Sequence, residues 1–388
     1  MSRRSTAIVL SPEVPYPAAG GGALRTACIL EYLKLRYETT VIVFRQPEQP
    51  DPRLFFPPEF EVHVIDLPYH SKAPVMRAAR NLRRACLARP PLVDRFAGFE
   101  DQVKTALRER SFDAGVIEHF WCAGYAQILR PACRLLALDL HNIESILLRR
   151  QAVAERGVSA LLLNRFSSCC ARMERAVLPR FDALLVTSQA DAAHLAAGAA
   201  VVPNAIPLIP QPERVKHNVI AMSGNFDYQP NQAGVRWFAA EIWPRLRETF
   251  PELRWRLIGR GENAVMRALH SDPRIEATGP LNDPVAELAR CRISVVPLLS
   301  GSGTRIKIIE AWAAGLPVVS TTLGAEGMPG QPGVHWLSAD TPETFACAVE
   351  QVLADPALAA RLGHAGRQLY EDHLTWGAAH QALQAAGL

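Results

Sequence analysis

The sequence is poor in lysine and has nothing long enough to cross a membrane. Lysine stands only at positions 34, 72, 104, 216 and 307, so nearly all the basic charge is arginine. No stretch reaches the roughly 18 consecutive apolar residues of a transmembrane helix. The apolar run near the start, Ala7–Leu10, is far too short for a secretory signal. A formal net charge of +4 over 388 residues gives no reason to expect a nucleic-acid partner. There are eight cysteines but no C-x-x-C pair, and Cys169 and Cys170 are adjacent rather than spaced for a metal. Most lie in apolar stretches, as small core residues do. These absences argue against disulfides and structural zinc. They fit a reducing cytoplasmic setting, with at most a peripheral place on the inner face of a membrane. No D-x-D ends a strand and no G-x-G-x-x-G follows the first one. We therefore expect no metal, no other cofactor and no dinucleotide fingerprint.

What is present is an alternation of strand and helix, twice over. Short continuous apolar runs mark strands at Ala7–Leu10, Val41–Phe44, Val62–Leu67, Ala114–His119, Leu135–Leu140, Ala183–Thr187 and Val201–Val202. A second series follows at Val219–Met222, Arg254–Ile258, Ile275–Ala277, Ile293–Pro297, Pro317–Ser320 and His335–Leu337. Continuous rather than alternating runs belong to parallel sheets buried on both faces. Helices are expected over Ala23–Leu35, Arg95–Arg110, Ala160–Val177, Asn231–Thr249, Val285–Ala289, Thr304–Ala314 and Pro342–Leu353. The length suits two domains, and Ile206–Pro212, with three prolines, reads as the linker. The expected class is α/β: two Rossmann-like doubly wound domains facing across a cleft.

Ligands of such sheets bind at the C-terminal ends of the strands, so the loops there hold the candidates. After the first strand, Gly20-Gly21-Gly22 opens a helix. It is either an anion site or a plain flexible turn. After Met222 come Ser223, Gly224, Asn225, Phe226 and Asp227, then Asn231, which can cap the next helix. Gly259 and Gly279 end two further strands, and Leu281 follows. The most informative segment is Gly301-Ser302-Gly303-Thr304-Arg305-Ile306-Lys307-Ile308-Ile309-Glu310. Its glycine loop and helix start can hold a phosphate, and Arg305 and Lys307 add charge. Glu310, among Ile, Ala and Trp, needs a partner: a ribose diol, Arg305 or a distant arginine. In the first half, one strand ends at Ile117-Glu118-His119. The next ends at Asp139-Leu140-His141-Asn142-Ile143-Glu144, either a ligand-binding end or capping around a structural histidine.

Residues 219–327 resemble the donor-binding half of glycosyltransferase family 4, the retaining enzymes of the GT-B fold. The matching pieces are Gly224–Asn231 and Gly303–Val319, the second being the more specific. The first half fits in order and spacing more than in residues. The resemblance implies that Glu310 holds the ribose and that His119, in the position of the family's active-site histidine, faces the transferred sugar. Many members carry Glu-x7-Glu. Here the second glutamate is Glu310, but Ser302 stands at the first, which in the family lies near the transferred sugar. The family's basic pair after the first strand of this domain is also absent, which leaves Arg305 and Lys307 to supply the diphosphate charge.

The resulting expectation is a retaining, hexosyl-type glycosyltransferase using a nucleotide-diphosphate sugar. Its acceptor would be a glycan or lipid-linked group in bacterial surface polysaccharide synthesis. His119, Arg305 and Lys307 form its catalytic set. Gly224, Asn225, Gly259, Gly279, Leu281, Gly301, Ser302, Gly303, Thr304 and Glu310 form the donor site, and Gly21, Gly22, Asp139, His141, Asn142 and Glu144 the acceptor or sugar side. The domains expected are 1–205 for the acceptor, 206–370 for the donor, and a helix over 371–388 returning to the first. A helix over Val75–Leu87 interleaves Arg with Val, Met and Leu. It suits either an anionic membrane or plain solvent. The rival functions are an inactive nucleotide-sugar-binding partner, which Ser302 in place of the family's glutamate keeps open, a GT-B-type epimerase, and a phosphorylase with Lys307 on pyridoxal phosphate.

Overall fold

The computed structural model describes residues 5–18, 20–71, 73–195, 198–213, 217–301 and 305–388. The chain divides into two compact units. One comprises Met1–Pro203 together with His380–Leu388, the other Asn204–Ala379.

The first unit is built on seven strands: β1 (Thr6–Ser11), β2 (Glu38–Arg45), β3 (Glu61–Asp66), β4 (Phe112–Glu118), β5 (Cys133–Leu140), β6 (Ala183–Val186) and β7 (Ala200–Val201). Their order is β3-β2-β1-β4-β5-β6-β7, and every pairing is parallel. The second unit holds β8 (Val219–Ser223), β9 (Arg254–Ile258), β10 (Ile275–Gly279), β11 (Ile293–Val296), β12 (Val318–Ser320) and β13 (Leu337–Ser338). These run in the order β10-β9-β8-β11-β12-β13, again all parallel. Both sheets are the doubly wound sheets expected of GT-B domains.

Each apolar run of the sequence is thus a strand. Residues 7–10 of β1 and 293–296 of β11 are buried throughout, because helices cover both faces. In both sheets the strand order reverses beside the first strand, between β1 and β4 and between β8 and β11. At such a switch point the two following loops leave on opposite sides and open a crevice at the strands' C-terminal ends.

Two predicted helices are broken. The segment expected as one helix over 95–110 is Pro91–Phe96 and Glu100–Leu107. Between them Gly98 takes φ +92°, a conformation glycine adopts readily. The segment 231–249 is Gln229–Trp237, one wide turn at Phe238–Ile242, and Trp243–Thr249. Pro244, in the first turn of the last piece, has no N–H to continue a straight helix, and the backbone adjusts by the wider turn.

Each unit has its own core. In the first, Phe44 meets Phe96 and Phe99 with ring centroids 5.3 and 5.5 Å apart. In the second, Trp255 packs on Phe238 at 4.6 Å. Gly366 lies so close to the Trp312 indole that a Cβ there would collide with it. The last helix, Trp376–Ala385, ends in the first unit. There Tyr32 Oη donates to Leu388 O at 2.6 Å, and His380 Nε2 lies 3.1 Å from Cys28 O. Six of the eight cysteines are buried, and Cys86 and Cys347 are exposed. Among the described residues no helix is long and apolar enough to cross a membrane.

Candidate active site

In the first unit the switch-point loops bring Gly20–Gly22 and His119 to the same end of the sheet. Gly20, at φ +97°, starts the helix Gly21–Lys34. His119 follows β4 with φ +63°, a backbone state that costs a non-glycine residue energy and recurs at functional sites. Its N–H donates to Asp139 O at 2.9 Å. Its ring stacks on Trp121 at 4.2 Å and lies 3.6 Å from the His141 ring. Burial, then the neighbouring His141, hold its pKa well below the usual histidine range. Nε2 is buried with no hydrogen-bond partner among the described residues.

Behind His119 lies a buried ion network. Arg25, 2% exposed, forks onto Asp139, with Nε at 2.7 Å and Nη2 at 2.5 Å. Its Nη1 donates to Val202 O at 2.7 Å. His141 Nε2 bridges Glu118 at 2.9 Å and Asp139 at 3.1 Å, and Thr26 Oγ1 donates to Glu118 at 3.2 Å. Burial opposes charge throughout, but Arg25 and His141 outweigh it at Asp139, whose carboxyl is held well below the usual range. Burial also acts against charge on His141, but its bonds to Asp139 and Glu118 raise it to about 9. Glu118 is raised to about 7 by burial and by Asp139. Glu118, Asp139 and His141 hold ligand-type atoms within 4.8 Å of one another. Arg25 already occupies Asp139 and His141 bridges both carboxylates, so the cluster neutralises itself through ion pairs.

Of the predicted acceptor-side residues, Asp139 and His141 therefore lie inside this network, with Gly21 and Gly22 opening the helix beside it. Asn142 is half-buried. Glu144 is buried and accepts Trp121 Nε1 at 2.8 Å, and burial raises it to about 7. The sequence pattern does not reveal Arg25 and Thr26, and it leaves Glu118 without a role. Nothing in local spacing marks partners separated by scores of residues. The one available signal is an arginine four residues beyond the glycine that leads a helix.

In the second unit the switch-point loop after β8 is tightly packed. Gly259 takes φ +133°, and a Cβ there would stand only 2.1 Å from Gly224 O. Its glycine is required by the approach of two backbones. Gly224 itself takes φ +145°, and a Cβ there would lie 3.0 Å from Asn231 Nδ2 and 3.5 Å from Lys307 Nζ. Lys307 Nζ donates to Asn231 Oδ1 at 2.5 Å, and Asn231 Nδ2 to Asn225 O at 2.7 Å. Asn231 is therefore not the helix cap. The cap position is Tyr228, and Asn231, further in, ties the β8 loop to Lys307. The ammonium absent from the β8 loop is thus delivered from the helix Ile306–Ala313. Burial, then Arg305, lower the Lys307 pKa to about 7.

Glu310 accepts from Ser223 Oγ at 3.1 Å rather than from Arg305, and burial raises it to about 7. Arg305 is buried, with Nη2 on Leu323 O at 2.9 Å and on Gly301 O at 3.4 Å. Gly301 takes φ +112° against Pro230. Ser302, Gly303 and Thr304 lie outside the described residues. Gly279, at φ +71°, has open space where a Cβ would stand, and Leu281 beyond it is exposed.

With this geometry the chain can be compared with known proteins. Residues 217–355 match the family described as "Glycosyl transferases group 1". The fold is similar to sucrose-phosphate synthase from Thermosynechococcus elongatus over 98% of both chains, with a TM-score of 0.70 and 18% identity. It is also similar to Anabaena HepE, solved in complex with UDP and glucose, over 98% of both chains, with a TM-score of 0.68 and 14% identity. In sequence it is 21% identical over 362 residues to an uncharacterized 44.6 kDa protein in the cps region of Klebsiella pneumoniae, covering 87% of this chain and 88% of that one. The fold over the whole chain is that of GT-B glycosyltransferases. The group 1 match falls within the second unit, on residues 217–355.

Proposed function

We propose that the chain is a retaining glycosyltransferase that takes a hexosyl group from a nucleotide-diphosphate sugar to a glycan or lipid-linked acceptor. The observation that carries this reading is the placement of Lys307 and Glu310. Both are largely shielded from water, on one helix, at the C-terminal end of β8. A diphosphate accepts from the ammonium and a ribose diol donates to the carboxylate, so each shielded charge gains the partner it needs. Anabaena HepE binds UDP, which makes UDP the first nucleotide to try. Thermal-shift measurements with UDP, GDP and ADP test the reading, because a ligand of the native state alone raises the midpoint. No shift with any of the three would sink it.

The sugar–phosphate bond breaks as the acceptor oxygen bonds to the anomeric carbon on the same face. The acceptor's proton passes to a donor phosphate oxygen, while Lys307 and Arg305 balance the charge of the departing diphosphate. No metal is needed for this scheme. Turnover abolished by EDTA and restored by Mg²⁺ would replace it. The anomeric configuration of the product, read by NMR, tests retention. A second reading, an inactive nucleotide-sugar-binding partner, draws on Ser302 where the family has a carboxylate. Release of UDP from UDP-glucose separates the two.

A peripheral place on an anionic membrane is supported by the helix Pro74–Cys86. It exposes Val75, Met76 and Leu82 beside Arg77 and Arg83. Arg84 is turned inward onto Asp94 at 2.8 Å, so not every arginine of the helix is available. Arg165 Nε donates to Ala85 O at 3.4 Å and joins this helix to Gly157–Val177, which exposes Val158 and Leu161. Co-sedimentation with anionic vesicles tests this contact.

A further inference from the structure

We propose that His70, Arg80 and Arg95 form a binding site for a phosphoryl group at the edge of the first unit's sheet. Between Leu67 and Phe99 the sequence holds six arginines and one lysine against a single acid, Asp94. Asp94 is taken by Arg84 at 2.8 Å, with Arg89 at 3.8 Å. Asp66, at the end of β3, is taken by Arg45 through two bonds of 2.6 and 2.9 Å. Arg80 and Arg95 are left without a carboxylate partner among the described residues.

Both guanidiniums are held in place by the loop that follows β3. Arg95 Nη1 donates to Pro68 O at 2.8 Å and its Nη2 to Gln46 Oε1 at 2.7 Å. Arg80 Nη2 donates to Ser71 O at 3.2 Å. They grip the loop at Pro68 and Ser71, with His70 between. Each arginine has five N–H donors, so these bonds leave some for an oxyanion. Arg80 Nε is sealed from solvent, so a ligand would meet that residue only at its terminal nitrogens. All three residues are half-buried, open enough to reach and yet weakly screened. Arg84 stands four residues from Arg80 on one helix face, and like charges so placed repel. Burial, then Arg95, Arg80 and Arg84, hold the His70 pKa below the usual histidine range, with Asp94 opposing. Burial, then Arg84 and Arg80, lower Arg95 as well. A phosphoryl oxyanion relieves this repulsion, and arginine forks onto its oxygens.

The position says what the group is for. β3 is the edge strand, two strands from β1 and so about 10 Å away. A phosphoryl group here is remote from the switch-point loops, and it serves as a handle on the acceptor rather than as part of the reacting centre. That role rests on the glycosyltransferase reading; the site does not. The helix that carries Arg80 also exposes Val75, Met76 and Leu82, which suits a phosphoryl group borne on a lipid.

The test titrates the full chain and its R80Q, R95Q and R83Q variants with vesicles of phosphatidylcholine. The vesicles carry either phosphatidic acid or phosphatidylglycerol at matched surface charge, and inorganic phosphate is titrated separately. The wild type should prefer phosphatidic acid, whose phosphate is terminal. R80Q and R95Q should each lose about tenfold or more of that affinity. R83Q removes an exposed charge from the same helix and should lose roughly fivefold on both lipids alike. Losses in R80Q and R95Q no larger than in R83Q overturn the proposal. So does equal binding of the two lipids by the wild type, unless inorganic phosphate binds with the same dependence on Arg80 and Arg95. In that event the phosphoryl group belongs to a soluble compound; binding to phosphatidic acid alone assigns it to a lipid. R95Q gives up two bonds to neighbouring loops, so melting midpoints are taken first. If R95Q does not fold, R80Q decides. Failure of UDP to bind the wild type would overturn only the glycosyltransferase reading.

Discussion

Lys307 and Glu310 stand one helical turn apart, and burial drives both to about 7 from opposite directions. Neither holds a full charge at neutral pH, so the proposed donor site would take its charge from its ligand.

A pH dependence of nucleotide binding follows. The folded pKa of Lys307 is depressed, so above about 7 the amine of the free protein is largely neutral. A diphosphate favours the ammonium, so binding takes up a proton there. Glu310, raised to about 7, opposes this slope near neutrality and is mostly ionised higher in the range, where its contribution fades. UDP affinity should fall as pH rises above about 7.5, by up to about tenfold per pH unit. K307R, whose guanidinium does not titrate, should bind with a flat profile. Calorimetry in two buffers of different ionisation enthalpy counts the proton. Equal heats in both would refute the linkage.

Removing the carboxylate tests its proposed partner. E310A should weaken UDP binding by roughly 10- to 100-fold, the scale of a charged hydrogen bond, and should weaken 2′,3′-dideoxy-UDP far less. Equal losses for both nucleotides would show that Glu310 does not hold the ribose. E310A should also raise the melting midpoint above pH 7, where the wild type carries a shielded carboxylate bonded to a serine.

The Arg25–Asp139 pair predicts a stability loss. R25M leaves a fully buried carboxylate with only His141 to balance it, and breaking such a pair costs about 3–5 kcal/mol. For a unit of this size that is a fall of the order of 10 °C in midpoint. D139N should lose less, since the amide still accepts from Arg25. A midpoint unchanged in R25M would show that the network is not holding the fold.

Glu144 makes stability itself pH-dependent. Its folded pKa is raised to about 7, so its contribution is complete below about 4.5 and is lost as pH rises through about 7. E144Q keeps an acceptor for Trp121 Nε1 but removes the titration. Between pH 5 and 8 the wild type should lose about 1–3 kcal/mol more than E144Q, as measured by urea unfolding at each pH.

Much of this fold is legible in the sequence because strands covered on both faces read as unbroken apolar runs, and each strand from β1 to β13 falls on one. The switch-point rule then points to His119, Gly224, Lys307 and Glu310. Asn231 misleads because a polar residue near a helix start resembles a cap. Pro230 in the first turn moves the start back to Gln229 and turns Asn231 to another task. Arg25 is invisible in the pattern because its partner, Asp139, is over a hundred residues away. Only the finished sheet brings them together.

The second unit is a single continuous stretch, Asn204–Ala379, while the first needs both Met1–Pro203 and His380–Leu388. The first unit is thus completed by a segment that follows the whole of the second in the chain, with Tyr32 Oη donating to Leu388 O. Cutting the chain after Ala379 keeps one unit whole and leaves the other unfinished.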